Sequence, residues 1–213
     1  MTVDTNILAD LNHAQREAVE AVEGPVLVLA GPGSGKTRVL THRVAYLVKE
    51  YRVPPWQIMA VTFTNKAARE MKERLYRLLG EQVGKLTVGT FHAICARILR
   101  REPEAAGISP QYVIYDTSDQ RSLVRQAIRG LNLDEKLYRP HSMLRVISHA
   151  KNELVTPAEM PVLTYREEIV KRIYEQYQAL LDENNALDFD DLLNKTVRLF
   201  RQHEDVRRRY QQR

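Results

Sequence analysis

Residues 30–37 read Ala-Gly-Pro-Gly-Ser-Gly-Lys-Thr, set between an apolar run, Pro25-Val26-Leu27-Val28-Leu29, and a helical pattern beginning Val39-Leu40-Thr41-His42-Arg43-Val44. A buried strand over Val26 to Ala30, a glycine loop and a helix in series make the local architecture of a phosphate-binding P-loop. Gly31, Gly33 and Gly35 let backbone N–H groups curl around phosphate oxygens with no Cβ in the way. The helix that follows aims its positive end at the same anion. Lys36 is the candidate for the β- and γ-phosphates and Thr37 for a magnesium ligand. Ala30 stands where the general pattern has Gly, a position that needs only a small side chain. Pro32, Ser34 and Arg38 complete the candidate nucleotide-binding stretch.

The rest of the first third alternates between strand and helix signals. Asn12 to Val22 reads as a short helix with Asn12 as its N-cap. Lys36 to Glu50 reads as a helix with Leu40, Val44, Leu47 and Val48 on its apolar face. Ile58 to Phe63 reads as a strand, and Asn65 to Leu79 as a helix striped by Ala67, Met71, Leu75 and Leu78. Leu86 to Val88 is a third strand and Thr90 to Arg100 a third helix. Strands alternating with helices predict an α/β fold on a parallel sheet flanked by helices. Glu102 to Pro110 reads as a loop, and Tyr112 to Tyr115 as one more strand.

Beyond that point the pattern is helical. Thr117 with Gln120, and Thr156 with Glu159, fit capping boxes. Helices are expected over His141 to Asn152, over Tyr165 to Glu183, and from Asp188 to the C-terminus. The reading divides the chain into 1–117, an all-α insertion over 118–185, and a return over 186–213.

Charge is unevenly spread. The net charge is +5, and residues 65–101 hold nine Lys or Arg against three Glu, so one stretch carries the positive excess. That is an electrostatic footprint suited to nucleic acid. An apolar fraction of 44% supports a packed core and excludes wholesale disorder. The single cysteine, Cys95, excludes an internal disulfide and fits a reducing, cytoplasmic setting; a buried structural thiol is its default role. Met1-Thr2-Val3-Asp4 lacks a signal-peptide pattern, and no apolar run approaches the ~20 residues of a membrane span.

Several further motifs appear in order. Leu11-Asn12-His13-Ala14-Gln15-Arg16 precedes the P-loop. Thr62-Phe63-Thr64-Asn65-Lys66-Ala67 closes the second strand, Gly89-Thr90-Phe91-His92-Ala93 closes the third, and Leu187-Asp188-Phe189-Asp190-Asp191-Leu192 lies near the end. Together they resemble the N-terminal part of the UvrD/PcrA/Rep-type superfamily 1 DNA helicases over essentially the whole chain.

The resemblance implies a RecA-like P-loop NTPase sheet, with 118–185 as the 1B insertion into domain 1A. It also implies ATP and Mg²⁺ as cofactors and ATP-dependent 3′–5′ movement on single-stranded and duplex-junction DNA, in repair or replication. Gln15 would read adenine, since its amide offers the matching donor and acceptor; a surface Gln on an amphipathic helix is the competing reading. Phe63, Thr64, Asn65 and Lys66, then Thr90, Phe91 and His92, would contact single-stranded DNA. A core aromatic competes for Phe63, helix capping for Thr64 and Asn65, and a structural histidine for His92. The Asp188-Asp190-Asp191 group invites a metal or catalytic reading, against which helix capping is preferred.

ATP hydrolysis requires a Walker B carboxylate pair. Val113-Ile114-Tyr115-Asp116 imitates one but is followed by Thr117 rather than Glu. In the family the Asp-Glu pair comes shortly after a segment like Tyr210-Gln211-Gln212-Arg213. The chain is therefore expected to be a fragment without the rest of 1A, 2A and 2B, able to bind nucleotide but not to unwind DNA. A nucleotide kinase and a stand-alone DNA-binding module are the alternatives. The kinase would need an Arg-rich lid, and 118–185 has no compact Arg cluster.

Overall fold

The computed structural model describes residues 6–212. The chain divides into two compact units, residues 1–94 with 209–213, and residues 95–208. The expectations for Met1 to Asp4 and for Arg213 lie outside the described residues.

The first unit opens with α1 (His13–Glu20), which Asn12 and Gln15 cap reciprocally. After it comes α2 (Lys36–Lys49), then β1 (Met59–Thr62), α3 (Asn65–Leu79) and β2 (Thr87–Thr90). β1 and β2 pair in parallel, with Thr62 opposite Thr90. The intervening α3 is the crossover that a parallel pair requires. Val44, Ala45, Val48, Ala60, Met71, Leu75, Leu79, Leu86 and Val88 form the core.

Two expectations change here. The run 26–30 is not a buried strand: it joins no ladder, and Leu27 and Leu29 are 83% and 86% exposed. A strand exists through its pairing, and β1 and β2 pair only with each other, so the apolar run has no partner to cover it. The face of α2 is also turned. Val39, Thr41, Val44, Ala45 and Val48 are buried, whereas Leu40 is exposed, because α2 packs against both α1 and α3. Thr41 is tolerated inside because its hydroxyl donates to the Thr37 and Arg38 carbonyls.

The second unit takes in residues 95–101 of α4 (Phe91–Arg101), then α5 (Pro103–Ala106), β3 (Val113–Ile114), α6 (Thr117–Gly130), α7 (Pro140–Asn152), α8 (Tyr165–Glu183), β4 (Ala186–Leu187) and α9 (Phe189–Gln202). α10 (Glu204–Gln211) follows, so the single expected terminal helix is broken at His203. β3 pairs in parallel with β4, so α6 to α8 stand between two adjacent strands. Leu123, Ala127 and Ile128 of α6, Met143 and Ile147 of α7, and Ile169, Ile173, Tyr177 and Leu181 of α8 share one core.

The local signals of this unit shift by a residue or a turn. Asp116, not Thr117, caps α6, with Asp119 as its reciprocal partner, because an ionised carboxylate one residue earlier reaches the Ser118 and Asp119 N–H groups. The Thr156–Glu159 bonds do form, but only a turn follows. The expected loop after Arg101 contains α5. Among the described residues no helix is long and apolar enough to cross a membrane. Cys95 is half-buried, and burial pushes its thiol up.

Candidate nucleotide- and DNA-binding site

The glycine loop is built from its own backbone. Gly33 and Gly35 have φ of 75° and 86°, the left-handed region where a side chain is strained. At Gly35 a Cβ would also meet Gln15 Nε2 at 2.8 Å. Gly31 differs: its φ is not positive, and a Cβ there would meet nothing within 4 Å. Nothing in the protein's own packing demands glycine at 31.

The N-terminus of α2 is open. Gly35 offers no side-chain cap, and its first turn holds no acidic residue. Its leading N–H groups lack the internal acceptors that helix ends otherwise recruit. Lys36 Nζ donates back to the carbonyls of Ala30 (3.0 Å) and Gly31 (2.7 Å), and Ser34 Oγ donates to Gly31 (2.7 Å). Lys36 and Thr37 are exposed, as are Ala30, Pro32 and Ser34. Arg38 lies 3.8 Å from Asp10, both in solvent.

Gln15 reaches the loop from α1. Its N–H and Oε1 complete the α1 capping box with Asn12, and its Nε2 donates to the Ser34 carbonyl at 3.0 Å. The amide is therefore a strut between α1 and the loop as well as a candidate reader of a base.

At the carboxyl ends of β1 and β2, Phe63 is 90% exposed and Phe91 47% exposed, with ring centroids 5.7 Å apart. This removes the core-aromatic alternative for Phe63. Thr64 caps α3 by accepting from Ala67 N–H, and Thr90, which is buried, does the same for α4 with Ala93. Asn65 and Lys66 are exposed and His92 is half-buried.

The Asp188 group is a cap and something more. Asp188 and Asp191 form the reciprocal capping box of α9. Lys151, 1% exposed, donates to Asp188 at 2.7 Å and to Asp191 at 2.8 Å, and the Tyr177 hydroxyl donates to Asp188 at 2.8 Å. Burial alone would lower the Lys151 pKa, but Asp191 and Asp188 together outweigh it and the net shift is upward. Burial pushes Asp191 up, against the pull of Lys151, and burial followed by Asp188 pushes the Tyr177 hydroxyl up. The sequence reading did not single out Lys151. A signal was present: it follows Met143 and Ile147 at four-residue spacing, a charged residue in register with a core stripe. Among the described residues no group of three His, Cys, Asp or Glu could hold a metal ion.

An open glycine loop at the start of α2, followed in the chain by the parallel β1–α3–β2 unit, makes a mixed α/β protein with a candidate phosphate-binding loop. Residues 11–213 match the family described as the UvrD/REP helicase N-terminal domain, and the chain belongs to that family. It is 47% identical over 211 residues to the ATP-dependent DNA helicase PcrA of Bacillus subtilis, covering 98% of this chain and 29% of that protein. It is 48% identical to PcrA of Leuconostoc citreum over 215 residues, 100% of this chain and 29% of that one. It is 46% identical to PcrA of Staphylococcus aureus over 96% of this chain. The chain thus spans under a third of the length of the relatives it matches.

Proposed function

We propose that this chain is the nucleotide-binding portion, with part of the single-strand contact surface, of an ATP-dependent 3′–5′ DNA helicase working in the cytoplasm on single-stranded and duplex-junction DNA. The open N-terminus of α2 carries the reading. Its uncapped N–H groups, the positive-φ glycines and the unfilled space over Gly31 suit a polyphosphate. In this reading 1–117 and 186–213 are parts of a RecA-like domain 1A and 118–185 its 1B insertion; the remaining domains belong to the rest of the parent protein.

Lys36 exchanges the Ala30 and Gly31 carbonyls for β- and γ-phosphate oxygens, a swap its exposed and flexible ammonium makes without moving the backbone. Residues 31–35 wrap the phosphates, Arg38 stands beside them, and Gln15 turns its amide toward adenine. The Thr37 hydroxyl is one oxygen ligand suited to Mg²⁺, which when bound with ATP would neutralise phosphate charge. Phe63 and Phe91 supply stacking faces for bases, Thr64, Asn65, Lys66 and His92 face the DNA backbone, and the buried Thr90 holds the start of α4 beside them. The chain alone binds nucleotide without unwinding DNA, because phosphoryl transfer is catalysed by positioned charges and the carboxylate pair is not among these residues.

The test is ATP hydrolysis by a protein of the relatives' full length, with and without single-stranded DNA. DNA-stimulated turnover that is lost in Lys36→Ala is expected. Turnover equally fast without DNA would sink the reading.

A further inference from the structure

Helix α1 has little of its own to hold it in place. Its eight residues are fewer than a helix needs to persist alone in water. Val19 is its one buried side chain, in a small cluster with Leu11 and Val39. Its last turn carries no basic residue, and Glu17 and Glu20 add negative charge near the negative end of the helix dipole. Helix α2 supplies what α1 lacks. Arg43 Nη1 donates to the carbonyl of Ala18 at 2.9 Å and to that of Ala21, the C-cap of α1. Arg43 is half-buried and has no carboxylate within 4.0 Å among the described residues, so its charge serves that helix end. Just before α1, a ring nitrogen of His42 bonds to the Ile7 carbonyl at 2.6 Å.

The placement of α1 matters because it carries Gln15. A Cβ at Gly35 would meet Gln15 Nε2 at 2.8 Å, so the amide lies directly against the glycine loop. One of its N–H groups goes to the Ser34 carbonyl, and Oε1 accepts from the Asn12 N–H, which leaves one N–H and one lone pair for a base. In a fixed order that pair matches adenine, whose N6 donates and N7 accepts. Guanine presents two acceptors on the same edge. An amide free to rock would lose the distinction.

We propose that Arg43 is a specificity-determining positioning residue: by clamping the last turn of α1 to α2, it holds the Gln15 amide in the orientation that selects adenine nucleotides over 6-oxopurine nucleotides. This role rests on the reading that Gln15 meets the base. Arg43 touches no ligand. It acts through α1, a rod about 12 Å long in which Ala18 lies one turn from Gln15.

The experiment measures the Kd of ribose-labelled fluorescent ATP, GTP and ITP on the 213-residue chain, with inorganic tripolyphosphate as a base-free competitor. Wild type is compared with Arg43→Met, Arg43→Gln, Arg43→Lys, Gln15→Ala, Gln15→Ala/Arg43→Met and Val48→Ala, each checked by urea unfolding. Ala21 is exposed and Ala18 half-buried, so water can take over both carbonyls when the guanidinium is removed. An adenine preference on the order of tenfold in the wild type should fall to about twofold or less in Arg43→Met and Arg43→Gln. Tripolyphosphate affinity should not change. Arg43→Lys keeps a cation at the helix end and should recover most of the preference. The double variant should lose no more than Gln15→Ala alone.

A wild-type preference in both Arg43→Met and Arg43→Gln would overturn the role of Arg43 while leaving Gln15 as the base reader. An unchanged preference in Gln15→Ala would remove the base reading and the role of Arg43 with it. A parallel loss of tripolyphosphate affinity, or failure of both variants to fold, would make Arg43 a general support of the unit, against the proposal. An equal loss of preference in Val48→Ala, whose side chain belongs to the core shared with α3, would reduce the effect to stability and overturn it as well.

Discussion

Helices α2 and α9 both begin beside an apolar segment, and a lysine lies close to each beginning. They resolve the same electrostatic situation in opposite ways. At α9 the end is closed: Asp188 and Asp191 cap it, Lys151 from α7 neutralises them, Tyr177 from α8 supplies a further hydrogen bond, and the group is buried. At α2 the end is open: glycine stands at the cap, the first turn holds no acidic residue, and Lys36 rests on carbonyls of its own loop in solvent. A helix N-terminus is a preference for negative charge. Whether the chain answers it from within or leaves it for a ligand decides whether the site is structural or functional.

The comparison breaks first at the lysines. Lys151→Met strands two carboxylates in the core and should cost about 3–5 kcal/mol of stability, read by urea unfolding of the intact chain. Lys36→Met, at an exposed site, should stay within about 0.5 kcal/mol of wild type. Similar costs for the two would mean the closed and open ends are not energetically distinct.

Nucleotide affinity runs the other way. Removing the Lys36 ammonium should forfeit about 1.5–3 kcal/mol of charge-assisted hydrogen bonding, on the order of ten- to a hundredfold in the Kd of a fluorescent ATP analogue. Partial-loss variants at the α9 cluster that still fold, such as Tyr177→Phe, should leave that Kd unchanged.

Glycines 31 and 35 sharpen the picture within the loop. Gly35→Ala meets both a left-handed backbone and the Gln15 amide, and should cost about 1–2 kcal/mol in thermal unfolding. Gly31→Ala should leave stability within about 0.5 kcal/mol yet weaken the ATP analogue, because only the ligand uses that space. A stability loss at Gly31 equal to that at Gly35 would assign both to folding.

The smallest effect is alkaline. Burial pushes the Tyr174 hydroxyl, beside the same cluster, up to about 12 from 10.0, and Tyr177 and Lys151 are also raised. A folded-state pKa above the unfolded one gives stability that is complete below the unfolded value and lost as pH rises through the folded one. Unfolding free energy should therefore fall between pH 10 and 12, less steeply in Tyr174→Phe. A flat profile would separate Tyr174 from the cluster's energetics.

Much of this was legible residue by residue. Asn65 to Leu79 and Tyr165 to Glu183 carry strong apolar periodicity, and both helices have those bounds in the structure. The P-loop was legible because its geometry is local: glycine torsions and a helix start need only neighbours in sequence. The run 25–29 misled for the opposite reason, since an apolar stretch says that burial is favoured but not which partner supplies it.

Sequence alone determined the local shape of the glycine loop and the proposed phosphate chemistry that rests on it, because a flexible loop, a lysine and a helix dipole act within eight consecutive residues. Tertiary structure alone decided the fate of the other charges. Lys151 meets Asp188 and Asp191 across 37 and 40 residues, and Phe63 meets Phe91 through strand pairing. Burial and charge pairing depend on distance in space, which no spacing along the chain encodes.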